Sequence, residues 1–70
     1  MVLEFIQKYA DTMITNNQTW TATNLEEALF REGYNVVFCV PASNGSKFRV
    51  HIGYQNFIEG VLTSTGEILL

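Results

Sequence analysis

The stretch from Tyr34 to Gly53, YNVVFCVPASNGSKFRVHIG, restricts the possible folds of this chain more than any other. An apolar run, a polar loop centred on Asn44-Gly45 and an alternating run through Lys47, Phe48, Arg49, Val50, His51 and Ile52 together predict a β-hairpin. Asn-Gly is a strong signal for a tight hairpin turn, because both residues tolerate the positive φ angles that match the twist of the flanking strands. Residues before the hairpin carry helical patterns, and residues after it carry strand patterns.

The register of the hairpin decides which side chains share a face. A two-residue turn at Asn44-Gly45 pairs Val37 with Ile52 and Cys39 with Val50, and sets Phe38 beside His51 on the other face. One extra residue, bulged near Pro41, instead pairs Val40 with Val50, Phe38 with Ile52 and Ala42 with Phe48. A slip of one position moves a whole set of side chains to the opposite face. Proline cannot donate to a ladder and belongs at bulges or edges, and the second register joins the largest apolar residues. It is therefore the expected one, and it places Val37 and Cys39 on the face of Lys47, Arg49 and His51.

Upstream, Leu3, Ile6, Ala10 and Met13 recur at helical spacing and predict a first helix over residues 2–14. Its polar face holds Lys8 against Glu4 and Asp11, which suits packing on a sheet better than lying on a membrane. A polar connector, TNNQTWT, contains the single Trp20. That ring either caps the core or stands out as an aromatic anchor for a partner. A second helix follows, with Thr23 and Glu26 as its expected capping box and Gly33-Tyr34 as a Schellman stop. Its surface residues Glu26, Glu27 and Glu32 outweigh Arg31, so it makes a poor recognition helix for DNA. Beyond the hairpin, a third strand is expected over Phe57–Thr63 and a short fourth over Glu67–Leu70. Gly60 inside the third marks a bulge or a close backbone approach. The predicted class is α+β, with two N-terminal helices packed on one face of a three- to four-stranded antiparallel sheet.

Seventy residues suffice for one small domain spanning 1–70. A core of that size supplies only ~3–5 kcal/mol, so such domains usually lean on disulfides, a metal or a partner subunit. One cysteine and one histidine close neither an internal disulfide nor a zinc site, and no cofactor is expected. A second copy is the staple that remains, and a homodimer is the expected state. The net charge of −3 comes without a basic stripe, which disfavours nucleic acid as a partner. No segment approaches the ~20 apolar residues of a membrane span, and the N-terminus lacks the pattern of a signal peptide. An unpaired Cys39 agrees with a cytoplasmic location.

The candidate chemistry is thin. In the expected register Cys39 faces His51, the arrangement of a thiolate–imidazolium pair. Against it stands the ordinary role of a free cysteine as a small buried hydrophobe. Paired carboxylates and glycine-rich phosphate loops are missing from the sequence. The reading that fits is a non-enzymatic protein-interaction or regulatory module, an inhibitor or adaptor, acting through the hairpin face or an open sheet edge. Its candidate interaction residues are Trp20, Val37, Cys39, Lys47, Arg49 and His51. The alternatives are a nucleic-acid-associated module using the Lys47/Arg49/His51 strand face, and an enzyme dependent on Cys39 and His51.

Overall fold

A computed structural model describes residues 1–70. Helix α1 (Val2–Thr15) and helix α2 (Ala22–Glu32) precede four strands, β1 (Val36–Ala42), β2 (Gly45–His51), β3 (Phe57–Thr63) and β4 (Ile68–Leu69). The strands form one antiparallel sheet in the order β1-β2-β3-β4, and the helices pack on a single face of it. The class is α+β, as the sequence predicts. The shortest dimension is 17 Å, enough for one helix layer on one sheet and no third layer.

Each helix has a local cause. Val2, Ile6 and Ala10 of α1 are buried at helical spacing. In α2 the start differs from expectation. Thr21, not Thr23, is the cap: its hydroxyl accepts from Asn24 N–H at 3.0 Å, and the Asn24 side chain accepts from Thr21 N–H at 3.1 Å. Capping at the earlier threonine brings Ala22 and Leu25 onto the buried stripe with Ala28 and Leu29, which a start at Thr23 would not have used in full. The stop is the expected one. Gly33 takes φ +95°, Tyr34 N–H donates to the Leu29 carbonyl, and Gly33 N–H donates to that of Phe30.

The hairpin is where sequence and structure part. Ala42 pairs with Gly45, Cys39 with Phe48 and Phe38 with Arg49, so the turn is Ser43-Asn44 and neither expected register occurs. Ser43 and Asn44 both keep negative φ; Gly45 alone takes a positive value, +150°. A turn of that kind splays its strands unless a glycine after it restores the twist, and this is the role Gly45 fills. Pro41 needs no bulge because β1 is an edge strand, where a missing donor is tolerated. The irregularity falls instead at Val37, between Val36 and Phe38.

The core lies between helices and sheet. Phe48, Ile6, Leu25, Leu29, Leu62, Val2 and Val50 are its largest fully buried side chains. Cys39 is part of it, at 7% exposure. Gly60 is the expected close approach: a Cβ there would lie 2.7 Å from the Leu69 carbonyl oxygen, and the pairing of β3 with β2 runs through it without a bulge. Towards the far edge, α1 is tied to the β3–β4 turn by Gln7, whose amide donates to the Gly66 carbonyl at 2.9 Å.

Candidate functional site

The register of β2 sorts its residues cleanly. Ser46, Phe48 and Val50 point to the helices and are buried, while Lys47, Arg49 and His51 point to the uncovered face. The pairings place their neighbours in rows across that face. One row runs Val40–Lys47–Val61–Leu69, the next Phe38–Arg49–Glu59, and a third joins His51 to Phe57. Val40, Phe57 and Leu69 are each more than two-fifths exposed. Phe38 and Val61 are half-buried.

Arg49 is the centre of this face. Its Nη2 donates to Glu59 Oε2 at 3.0 Å, a cross-strand pair on neighbouring strands. Its guanidinium carbon lies 4.4 Å from the Phe57 ring centroid and 5.4 Å from that of Phe38. Two flanking rings fix a planar cation by dispersion and by attraction to their π faces. Its Nε is buried and has no hydrogen-bond partner, so the group is only partly satisfied within the chain. Lys47 Nζ approaches Glu59 Oε1 at 3.8 Å, a looser and more exposed contact. The hydrogen bond from Arg49, and then the charges of Arg49 and Lys47, hold the Glu59 carboxyl below the usual range against the opposing effect of desolvation.

The six residues singled out from sequence do not form one site. Lys47, Arg49 and His51 share the outer face. Val37 sits in the β1 irregularity at the sheet edge, 46% exposed. Trp20 is on the helix side, half-buried, with its ring edge-on to Tyr9 at 6.2 Å between centroids, so it caps the core. Cys39 is on the helix side too, opposite Phe48, and does not face His51. Burial pushes its thiol up to about 11; the Glu26 carboxylate adds to the rise and a backbone contact at Glu26 opposes it. A thiol so placed is the reverse of an activated nucleophile, and the pairing of Cys39 with His51 is corrected on that geometry.

Sequence reasoning missed Phe38, Val40, Phe57, Glu59, Val61 and Leu69. One signal was available for three of them: the opposite charges of Arg49 and Glu59, taken as a cross-strand pair, set the β2–β3 register and with it the face of Phe57 and Val61. Elsewhere, an apolar concavity of about 330 Å³ opens among Met1, Val2, Tyr34, His51, Ile52 and Ile58. A larger one of about 480 Å³ on α1 has no hydrophobic lining. No three His, Cys, Asp or Glu side chains converge at metal-binding distance, and no helix is long and apolar enough to cross a membrane. Comparison with protein-family models, curated proteins and solved structures finds no match to this chain.

Proposed function

We propose that this chain is a non-catalytic protein-interaction module whose binding surface is the outer face of the sheet. One observation carries the reading: a four-stranded sheet covered by helices on one side only, with five apolar side chains around a ring-clamped arginine on the other. Interface centres favour this combination, aromatic and arginine anchors with few strongly hydrated charges. Charge supports it as well. With Glu67 opposite Thr63 at the end of the face, Lys47 and Arg49 against Glu59 and Glu67 leave the face neutral, while Lys8 and Arg31 against Glu4, Asp11, Glu26, Glu27 and Glu32 leave the remainder at −3. The face is thus the neutral side of an acidic molecule. The β1 edge is the weaker candidate surface, because Pro41 and the irregularity at Val37 interrupt its row of backbone donors.

The test is capture with face variants. Wild-type protein, Phe57→Asp and a helix-side control, Lys8→Ala, are immobilised and exposed to lysate, and bound proteins are quantified. A partner retained by wild type and by Lys8→Ala but lost with Phe57→Asp is the expected result. A captured protein that binds all three equally overturns the reading.

A second reading has its own observation. Phe38 and Phe57 beside Arg49, Lys47 and His51 also resemble a stacking platform for single-stranded nucleic acid. Glu59 at the centre of the face opposes phosphate, which is why this reading ranks second. Fluorescence anisotropy with a labelled oligonucleotide across a salt series decides it, since phosphate contacts weaken steeply as salt rises.

A further inference from the structure

We infer that the occupant of the outer face is a second copy of this chain, docked sheet to sheet, with the Arg49–Glu59 pair exchanged between the two copies. The inference rests on the proposed binding role of that face and specifies its partner. A two-fold interface must be self-complementary: if one residue meets a second across it, the second meets the first. The outer face has that property. Arg49 and Glu59 are neighbours on β2 and β3 in the same row. A two-fold axis lying between the sheets and running along the strands, between β2 and β3, sets β2 of one copy over β3 of the other.

The rows then face one another with two exceptions: Lys47 falls over the partner's Val61, and Phe38 has no β4 residue opposite it. Arg49 of each copy meets the partner's Glu59, His51 meets the partner's Phe57, and Val40 on β1 meets the partner's Leu69 on β4. Apolar residues fall on apolar ones at the two outer strands, and opposite charges meet at the centre. The alternative axis across the strands sets β2 over the partner's β2, so cation meets cation. Arg49 makes one side-chain hydrogen bond within the chain, to Glu59, which leaves further Nη donors for the partner's Glu59. Two sheets in register stack about 10 Å apart, a gap that long Arg and Glu side chains bridge from opposite sides.

Area sets the expected strength. Three strands of seven residues and one of two, at about 3.3 Å per residue and about 4.8 Å between strands, give a flat footprint of about 360 Å² per copy. Two such footprints fall below the ~1,200–2,000 Å² of a standard stable interface. The association is therefore of the weak, reversible kind, formed in the micromolar-to-millimolar range.

Sedimentation equilibrium from about 10 µM to about 1 mM tests it, that range bracketing weak association. Four samples are compared: wild type, Arg49→Glu, Glu59→Arg, and the two variants mixed. Each single variant makes the central pair like-charged and should associate at least about tenfold more weakly than wild type. The equimolar mixture restores opposite charges across the interface and should recover association close to that of wild type. Circular dichroism confirms that each variant is folded. If either charge variant is not folded, Val40→Lys at the outer row takes its place and should weaken association by a similar factor.

Wild type monomeric throughout overturns the inference, and face-dependent capture of another protein then leaves the wider reading standing. Association unchanged by Arg49→Glu or by Val40→Lys overturns it as well, because another surface would be holding the copies. A mixture that fails to associate refutes the exchange.

Discussion

Replacing Gly45 with alanine should cost this domain most of its stability. The glycine stands at φ +150°, and a Cβ built on it would lie 2.1 Å from the Leu62 carbonyl oxygen and 2.7 Å from the Thr63 Cα. Both are backbone atoms of β3, held by the β2–β3 ladder, so no side chain can swing aside. Relief needs a shift of more than about 1 Å in a strand whose other face packs the core, since carbon atoms rest ~3.5–4.0 Å apart. Backbone strain at an unfavoured φ costs ~1–3 kcal/mol, and overpacking costs a further ~1–3 kcal/mol. Together they take about 2–6 kcal/mol from a fold whose core supplies only ~3–5 kcal/mol.

Gly33→Ala is the internal standard. Gly33 also has positive φ, +95°, but a Cβ added there would meet nothing within 4 Å, so only the conformational cost of ~1–2 kcal/mol applies. Asn44→Ala is the second control: Asn44 keeps negative φ, and its loss should fall within the ~0.5 kcal/mol typical of surface changes. Urea unfolding followed by circular dichroism ranks the three. At an m-value near ~1 kcal/mol/M for so small a chain, Gly33→Ala lowers the midpoint by ~1–2 M, while Gly45→Ala leaves little or no folded baseline. A Gly45→Ala variant at least as stable as Gly33→Ala would refute the close approach of β2 to β3, and an Asn44→Ala variant as damaged as Gly45→Ala would refute the turn at Ser43-Asn44.

Cys39 makes the chain sensitive to alkali. Its thiol is pushed from 9.0 to about 11 by burial in the folded state, so folding favours the neutral form. The contribution is complete below pH 9 and is lost as pH rises towards 11, because the unfolded chain ionises first. At 1.36 kcal/mol for each pKa unit, wild type should lose roughly 2–3 kcal/mol across that window relative to Cys39→Val, read from paired urea titrations. A parallel pH dependence in the two proteins would show that Cys39 is not the group responsible. The capping correction has its own check: Thr21→Ala should lose ~1 kcal/mol, while Thr23→Ala should stay within ~0.5 kcal/mol of wild type in the same urea assay.

The elements were legible in the sequence where a local cause acts alone. The Schellman stop at Gly33-Tyr34 needs only a glycine and the helix before it, and β3 needs only a short apolar run between two turns. The start of α2 was harder because three threonines, Thr19, Thr21 and Thr23, compete within a few residues of it. Thr21 wins through a partner, Asn24, that serves as well as the Glu26 the other choice requires. Register failed for a non-local reason. Asn44-Gly45 does mark the hairpin, yet the glycine is used after the turn and not within it, under the constraint of β3 passing close by. No pattern inside the hairpin encodes that neighbour. The same error carried Cys39 to the wrong face and hid the residues that surround Arg49.

Once the register is fixed, charge distinguishes the candidate partners of the outer face. Each copy carries −3 overall, so two copies repel at a distance while Arg49 and Glu59 attract at contact. Salt screens the distant repulsion most, because charges separated by more than the ~10 Å Debye length at 0.1 M hardly interact, whereas partly buried pairs are screened less. Added salt therefore removes an obstacle to sheet-to-sheet association faster than it removes the attraction. For nucleic acid the order is reversed: the cations of the face meet phosphates directly, and every released counterion makes binding weaker as salt rises. The same three residues, Lys47, Arg49 and Glu59, thus predict opposite responses to one variable. Glu59 is what makes them opposite, since it is a repulsive centre for a polyanion and the required acceptor for a second Arg49.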